Sequence, residues 1–191
     1  MLETAEGHWP RSPAGAVAAG TLLVVRITSA VPDLPPAAVR RNLEGLPDVH
    51  DYTVHVKFLR YRDRPHLSAW TEFADRAITL QIPEPFLPFG EIVPYAAKRR
   101  PGMGRMRFIW LTEGLTFRTP REVLRFLYCH EWMHVAGTRE FEGRRVGETA
   151  CDRFALFNYQ RDVVTVEDAD RALRWRRAQD PASRSHSSTG S

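Results

Sequence analysis

Residues 119–137 read TPREVLRFLYCHEWMHVAG and carry the clearest helical pattern in the chain. Thr119 is a favoured N-cap residue, Pro120 suits the first helical position, and Glu122 stands where a capping box needs an acid. Apolar residues recur through the segment, and Gly137 suits a left-handed C-terminal stop. We therefore predict a helix that begins at Pro120 and ends at Gly137.

His130 and His134 lie four residues apart within that helix, and Glu131 follows the first of them. At about 100° per residue the two imidazoles are about 40° apart on one face, so both can reach one ion at Zn–N distances of about 2.0–2.1 Å. Glu131 is offset to the flank, where its carboxylate can reach a metal-bound water without occupying a coordination position. The alternative is a buried helix that contains these residues by chance. The helical context favours a Zn2+ site with Glu131 as the general base.

A second helical pattern supplies two acids for such a site. Zinc in hydrolases normally takes three protein ligands and one water, and residues 148–157, ETACDRFALF, place Glu148 and Asp152 one turn apart on one face. We expect Glu148 to ligate zinc and Asp152 to accept a hydrogen bond from the outward nitrogen of a ligating histidine. Either acid could in principle touch the metal, and a surface helix with two solvated acids is the alternative. Ala155 and Tyr159 continue the same stripe, so we expect both acids to be buried against the first helix.

The residues before the helix predict strands. β-Branched and aromatic residues indicate strands at 21–28, 52–59 and 105–112, and a proline start with Gly45 beyond the end indicates a helix at 35–43. Two further segments, 67–73 and 77–82, flank an Ala-Asp-Arg turn like the arms of a hairpin. Prolines and glycines recur through 83–104, which predicts a loop. This loop could equally have a binding or lid role or be a connection without a functional role.

The composition predicts one globular domain with tails. The chain has 191 residues, of which 43% are hydrophobic and 26% charged, as is usual for globular proteins. Both ends lack periodicity, so we predict disordered tails at 1–18 and 180–191 around a domain at 19–179. The apolar segment 14–25 follows two acids and lacks a small-residue cleavage site, which favours a cytoplasmic protein. No apolar run is long enough to cross a bilayer.

Charge and cysteine content exclude few classes of function. The net charge of +4 weakly favours acidic partners, but no nucleic-acid motif accompanies the basic clusters at 98–100, 144–145 and 174–177. We therefore expect these clusters to be solvated surface. We also expect the partner to be a peptide or protein substrate in preference to nucleic acid or a membrane. Cys129 and Cys151 are too few for a disulfide framework, and we expect buried free thiols.

Residues 130–134, HEWMH, and 148–152, ETACD, resemble the gluzincin metallopeptidases, in which His-Glu-x-x-His on one helix is followed by Glu-x-x-x-Asp on the next. The compact size is more similar to minimal gluzincins, such as the peptidase domains of phage-repressor-cleaving and radiation-response regulators, than to large secreted enzymes. The resemblance covers roughly residues 105–160. It implies an α+β fold with a zincin-like mixed β-sheet packed on the active-site helix and followed by C-terminal helices. It also implies that an edge strand, for which we take 77–82, holds the substrate in extended form.

The chain departs from related families downstream of His134. The metzincin pattern needs a third histidine soon after that residue, and VAGTRE lacks it. The residue that would stabilise the oxyanion has no matching motif, and the sequence does not rank the four candidates, His66, Tyr95, Arg139 and Tyr159.

These observations favour peptide-bond hydrolysis by a zinc-activated water. One alternative is a regulatory or partner-binding protein that keeps the zincin fold without cleaving, and the intact Glu131 argues against it. Another is a nucleic-acid-associated protein with a structural metal, for which a general base has no purpose.

Overall fold

The computed structural model describes residues 25–100, 107–139 and 146–179. These residues form a mixed α+β structure, which confirms the predicted class at that level. The elements in chain order are β1 (Arg26–Ser29), α1 (Pro36–Leu43), β2 (Thr53–Leu59), β3 (Ser68–Glu72), β4 (Ala77–Pro83), β5 (Phe89–Arg100), β6 (Arg107–Phe117), α2 (Pro120–Arg139), α3 (Glu148–Asn158) and α4 (Val166–Gln179). The tails predicted at 1–18 and 180–191 lie outside the described residues.

Four strands form a mixed sheet in the order β1-β2-β4-β3. The first three of these run parallel, and β3 pairs antiparallel with β4 as the hairpin pattern predicted. The prediction that 77–82 is the edge strand is wrong, because β4 is paired on both sides. Its nearly continuous burial, with only Gln81 partly exposed, suits a strand covered by neighbours and by a helix. The free edge on this side of the sheet belongs to β3.

A two-stranded ribbon of β5 and β6 forms a second sheet. The prediction of a loop at 83–104 is therefore wrong for the residues of β5. Prolines are compatible with this strand because Pro94 stands at a shift in the strand register, where a ladder hydrogen bond is dispensable. The other prolines up to Pro88 come before β5 begins.

Helix α2 starts as predicted, with a reciprocal capping box. The Thr119 N–H donates to the Glu122 carboxylate at 3.1 Å, and the Glu122 N–H donates to the Thr119 hydroxyl at 3.3 Å. The helix continues to Arg139, so the predicted end at Gly137 is wrong. Gly137 is buried within the last turn of the helix.

Helix α2 packs against β3 and β4 on one side and against α3 on another. Its buried apolar residues, among them Leu124 and Met133, belong to the single described core. Arg125 is also buried, with 1% of its surface exposed. Its guanidinium donates to backbone carbonyls near the ends of α1 and α3, namely those of Asn42, Glu44, Tyr159 and Arg161.

Helix α1 ends at Leu43, as predicted, and Gly45 follows just beyond this end. Gly45 has φ +79°, and a Cβ there would lie 1.9 Å from the Asp162 carbonyl oxygen, so only glycine fits. None of the described helices combines the length and apolar content that a bilayer span requires.

Candidate metal centre

Helices α2 and α3 bring the predicted metal ligands together. His130 Nε2 lies 3.2 Å from His134 Nε2 and 3.1 Å from Glu148 Oε2, and His134 Nε2 lies 3.4 Å from Glu148 Oε1. Donor atoms at about 2.0–2.1 Å from a tetrahedral zinc ion are about 3.3 Å from one another. The two imidazole nitrogens therefore have the separation of two zinc ligands, and each lies at a similar distance from one of the two Glu148 oxygens.

The outward nitrogen of each histidine contacts a residue of α3. His130 Nδ1 lies 2.8 Å from Asp152 Oδ1, and His134 Nδ1 lies 3.5 Å from the Cys151 sulfur. Because a carboxylate accepts, the Asp152 contact places a proton on Nδ1 of His130 and a lone pair on its Nε2. That lone pair faces the Glu148 carboxylate, which is also an acceptor. A metal ion or a proton between these two groups would be favourable, because both would otherwise be acceptors at 3.1 Å.

The charges around His130 favour its protonated form. Burial acts to lower the pKa of His130, but the hydrogen bond to Asp152 and the charges of Glu131, Asp152 and Glu148 outweigh it and raise this pKa above the ordinary value of imidazole. The same negative environment that attracts the proton would attract a divalent cation.

Glu131 lies beside the histidines and is buried, with 4% of its surface exposed. Its Oε2 accepts a hydrogen bond from the Thr71 hydroxyl of strand β3 at 2.7 Å. Burial raises the pKa of Glu131, while the Thr71 hydrogen bond and the two histidines act to lower it. Sequence reasoning missed Thr71, because 60 positions separate it from Glu131 and no local pattern marks it.

Cys151 offers a second choice of third ligand. The ligand atoms of His130, His134 and Cys151 lie within 4.8 Å of one another, so this group could hold a metal ion. However, the sulfur contacts Nδ1 of His134, whereas Nε2 of that ring faces His130 and Glu148. Cys151 is fully buried, and burial raises the pKa of its thiol, which disfavours the thiolate that ligation needs. We therefore favour Glu148 over Cys151 as the third donor.

The two acids of α3 differ in exposure. The side chain of Asp152 is 18% exposed, in line with the prediction, whereas that of Glu148 is 77% exposed. The predicted burial of Glu148 is wrong, because this residue begins α3 and the first turn of the helix reaches the surface. Cys129 and Cys151 are free and buried, as predicted.

Of the four residues considered for oxyanion stabilisation, Tyr95 and Tyr159 have other contacts. Tyr95 packs edge-on against Phe157, and Tyr159 is buried against Phe117 and Phe126. His66 is exposed. The side chain of Arg139 lies outside the described part of the structure.

Comparisons of the chain with protein-family models, with curated proteins and with solved structures give no match.

Proposed function

We propose that this protein is a zinc-dependent metallopeptidase with a zincin-like arrangement of sheet and active-site helix. The observation that carries the proposal is the convergence of His130, His134 and Glu148 at 3.1–3.4 Å, with Glu131 buried beside them. Three protein donors leave one coordination position for water, which is the pattern of catalytic rather than structural zinc.

In this proposal three side chains ligate the metal, and a fourth orients one of the ligands. His130, His134 and Glu148 bind zinc, and Asp152 fixes the tautomer of His130 through the contact at Nδ1. Zinc, when bound, lowers the pKa of its water towards about 7 and polarises a substrate carbonyl.

Glu131 acts as the general base. Its carboxylate accepts the proton of the attacking water and delivers it to the leaving amine. Only the ionised form can accept a proton, and burial works against that form. The Thr71 hydroxyl donates to Glu131 and so favours ionisation, which gives β3 a part in the site.

The free edge of β3 is the surface where a peptide would lie. An extended substrate can pair with the open side of an edge strand through main-chain hydrogen bonds. Thr71 lies within β3 and contacts Glu131, so a peptide paired with this strand runs beside the general base. The substrate in this proposal is therefore an unfolded segment of a peptide or protein. A cytoplasmic location stays a prediction.

Substitution of the general base tests the proposal. Glu131→Gln should abolish cleavage of fluorescein-labelled casein or of a mixed peptide library while zinc binding and thermal stability persist, because the amide fits the same space without accepting a proton. The matched control is Glu113→Gln at an exposed position of β6, which should cleave like the unsubstituted protein. Equal cleavage by the Glu131→Gln protein would remove Glu131 from the mechanism.

One observation favours the alternative of a zincin-fold protein that binds partners without cleaving. Trp70 and Phe73, at and just beyond β3, are 38% and 49% exposed, so the sheet edge has an apolar border suited to a protein partner. Zinc binding and peptide binding without any cleavage by the unsubstituted protein would support this alternative.

A further inference from the structure

The β5–β6 ribbon contains a concentration of positive charge that the metal centre does not use. Between Glu91 and Glu113 the sequence has five basic residues and no acidic one. The rest of the chain has 22 Lys and Arg against 23 Asp and Glu, so it has a net charge of −1. Without the five basic residues of segment 92–112, the chain would not have a net positive charge.

Four of the basic residues lie at the end of the ribbon ladder. Lys98, Arg99 and Arg100 end β5, Arg107 begins β6, and Arg100 pairs directly with Arg107. Like charges opposite each other on antiparallel strands are destabilising. An anionic partner would relieve that repulsion.

The same part of the ribbon is uncovered on both faces. Ile109 and Trp110 are successive residues of β6, and they are 46% and 56% exposed. By contrast, the base of the ribbon is fixed in the core, where Phe89 and Phe117 are buried with ring centroids 5.3 Å apart. The ribbon thus extends from a base anchored in the core to exposed positions at Ala97, Ile109 and Trp110.

We propose that this end of the ribbon, residues 97–100 and 107–110, binds the sugar–phosphate backbone of nucleic acid. Phosphates supply closely spaced negative charge for the basic residues. A two-stranded ribbon fits the major groove of a duplex, and an exposed ring such as Trp110 can stack on an unpaired base. A bilayer suits the ribbon less well, because an element that lies on a membrane needs one apolar face and one polar face. Ile109 and Trp110 lie on opposite faces.

This proposal departs from our expectation that the cluster at 98–100 is only a solvated face. The sequence predicted a loop at these residues. The structure instead has paired strands, which place Arg100 opposite Arg107 and leave Ile109 and Trp110 exposed. The proposed surface lies outside the zinc ligands, so it stands whether or not the protein hydrolyses peptides.

Binding of two labelled DNA probes tests the proposal. The full-length protein should bind both fluorescein-labelled oligothymidylate and a mixed-sequence duplex of equal length, more weakly as salt increases. Lys98→Gln/Arg99→Gln/Arg100→Gln should weaken binding about ten-fold or more and reduce the slope of log affinity against log salt by about two to three. Trp110→Ala should weaken binding of the single strand by about five-fold or more and that of the duplex less, because only unpaired bases stack on the ring.

The matched control is Arg60→Gln/Arg62→Gln/Arg64→Gln, which removes the same charge from three exposed positions elsewhere. This control should keep its DNA affinity and salt slope, and all variants should keep zinc binding and thermal stability. Equal loss of affinity in the control would overturn the proposal, since net charge alone would then explain binding. So would a failure of the unsubstituted protein to bind either DNA probe at low salt, or its binding to phosphatidylserine vesicles alone.

Discussion

At the scale of single residues, opposing influences act on the carboxylate of Glu131. Burial favours its neutral form, whereas the hydrogen bond from Thr71 and the two nearby histidines favour its charged form. A general base must be ionised at working pH and yet remain basic enough to take a proton. Thr71 is therefore a positioning residue for Glu131 in the proposed mechanism.

Removal of the Thr71 hydroxyl should slow hydrolysis without loss of zinc. Hydrogen bonds to charged groups contribute about 1.5–3 kcal/mol, so Thr71→Val should lower kcat by about 10–100-fold with little change in KM. Thr71→Ser keeps a hydroxyl and should restore most of the rate. Thr79→Val is the control, because the Thr79 hydroxyl is buried on β4 without a hydrogen-bond partner among the described residues. Equal kcat values for Thr71→Val and Thr71→Ser would show that the hydroxyl does not assist Glu131.

Glu148 and Asp152 should differ in the size of their effect on zinc affinity. Asp152→Ala removes an outer hydrogen bond and should weaken zinc binding by about 10–100-fold. Glu148→Ala removes a proposed metal ligand that faces both histidines and should weaken zinc binding further. Titration with a competing zinc indicator measures both constants. If Asp152→Ala lost zinc while Glu148→Ala retained it, the two roles would have to be exchanged and the likeness to gluzincins abandoned.

Residues close in sequence were predicted well, and those brought together by the sheet were not. One helical turn places His130 beside His134, so their proximity follows from α-helix geometry alone. Asp152 also contacts His130 as expected. The contacts of Thr71 with Glu131 and of Cys151 with His134 were not predicted, because they depend on how β3 and α3 pack on α2. Tertiary packing of this kind has no local pattern in one sequence.

At the scale of elements, periodicity and capping located most helices and strands. The capping box of α2 and the glycine after α1 were visible because each depends on a few adjacent residues. Strand β5 was missed because the prolines and glycines of 83–104 outweighed its apolar residues, although Pro94, the one proline within β5, is accommodated at a register shift. The edge position of β3 was missed because strand order depends on partners distant in sequence.

The buried guanidinium of Arg125 in α2 links this helix to the ends of α1 and α3. Arg125 contacts four carbonyls near the C-terminal ends of α1 and α3, where helix dipoles are negative. Arg125→Leu should lower the free energy of unfolding by about 3 kcal/mol or more, because the carbonyls stay buried without donors. Urea unfolding measures this loss. The control Arg121→Leu at an exposed position of the same helix should change stability by less than about 0.5 kcal/mol, and equal losses would contradict the role given to Arg125.

At the scale of the whole molecule, zinc binding should couple stability to pH. The pKa of His130 is raised in the metal-free fold, so its stabilising contribution is complete below the unfolded pKa of about 6.5 and is lost as pH rises through the folded value. Zinc needs the neutral imidazole, so its binding weakens as pH falls through the same range. The increase in Tm on addition of zinc should therefore be larger at about pH 8 than at about pH 6. An increase that is constant or falls with pH would contradict this coupling.

We propose that zinc lies between His130, His134 and Glu148, and X-ray absorption at the zinc edge of the zinc-loaded protein tests this ligand set most directly. The expected spectrum has only nitrogen and oxygen neighbours at about 2.0–2.1 Å, with the outer scattering of two imidazoles. The Glu148→Ala protein should lose one oxygen neighbour or fail to retain zinc. A sulfur neighbour at about 2.3 Å would place Cys151 in the coordination shell instead and contradict the ligand set on which the account rests.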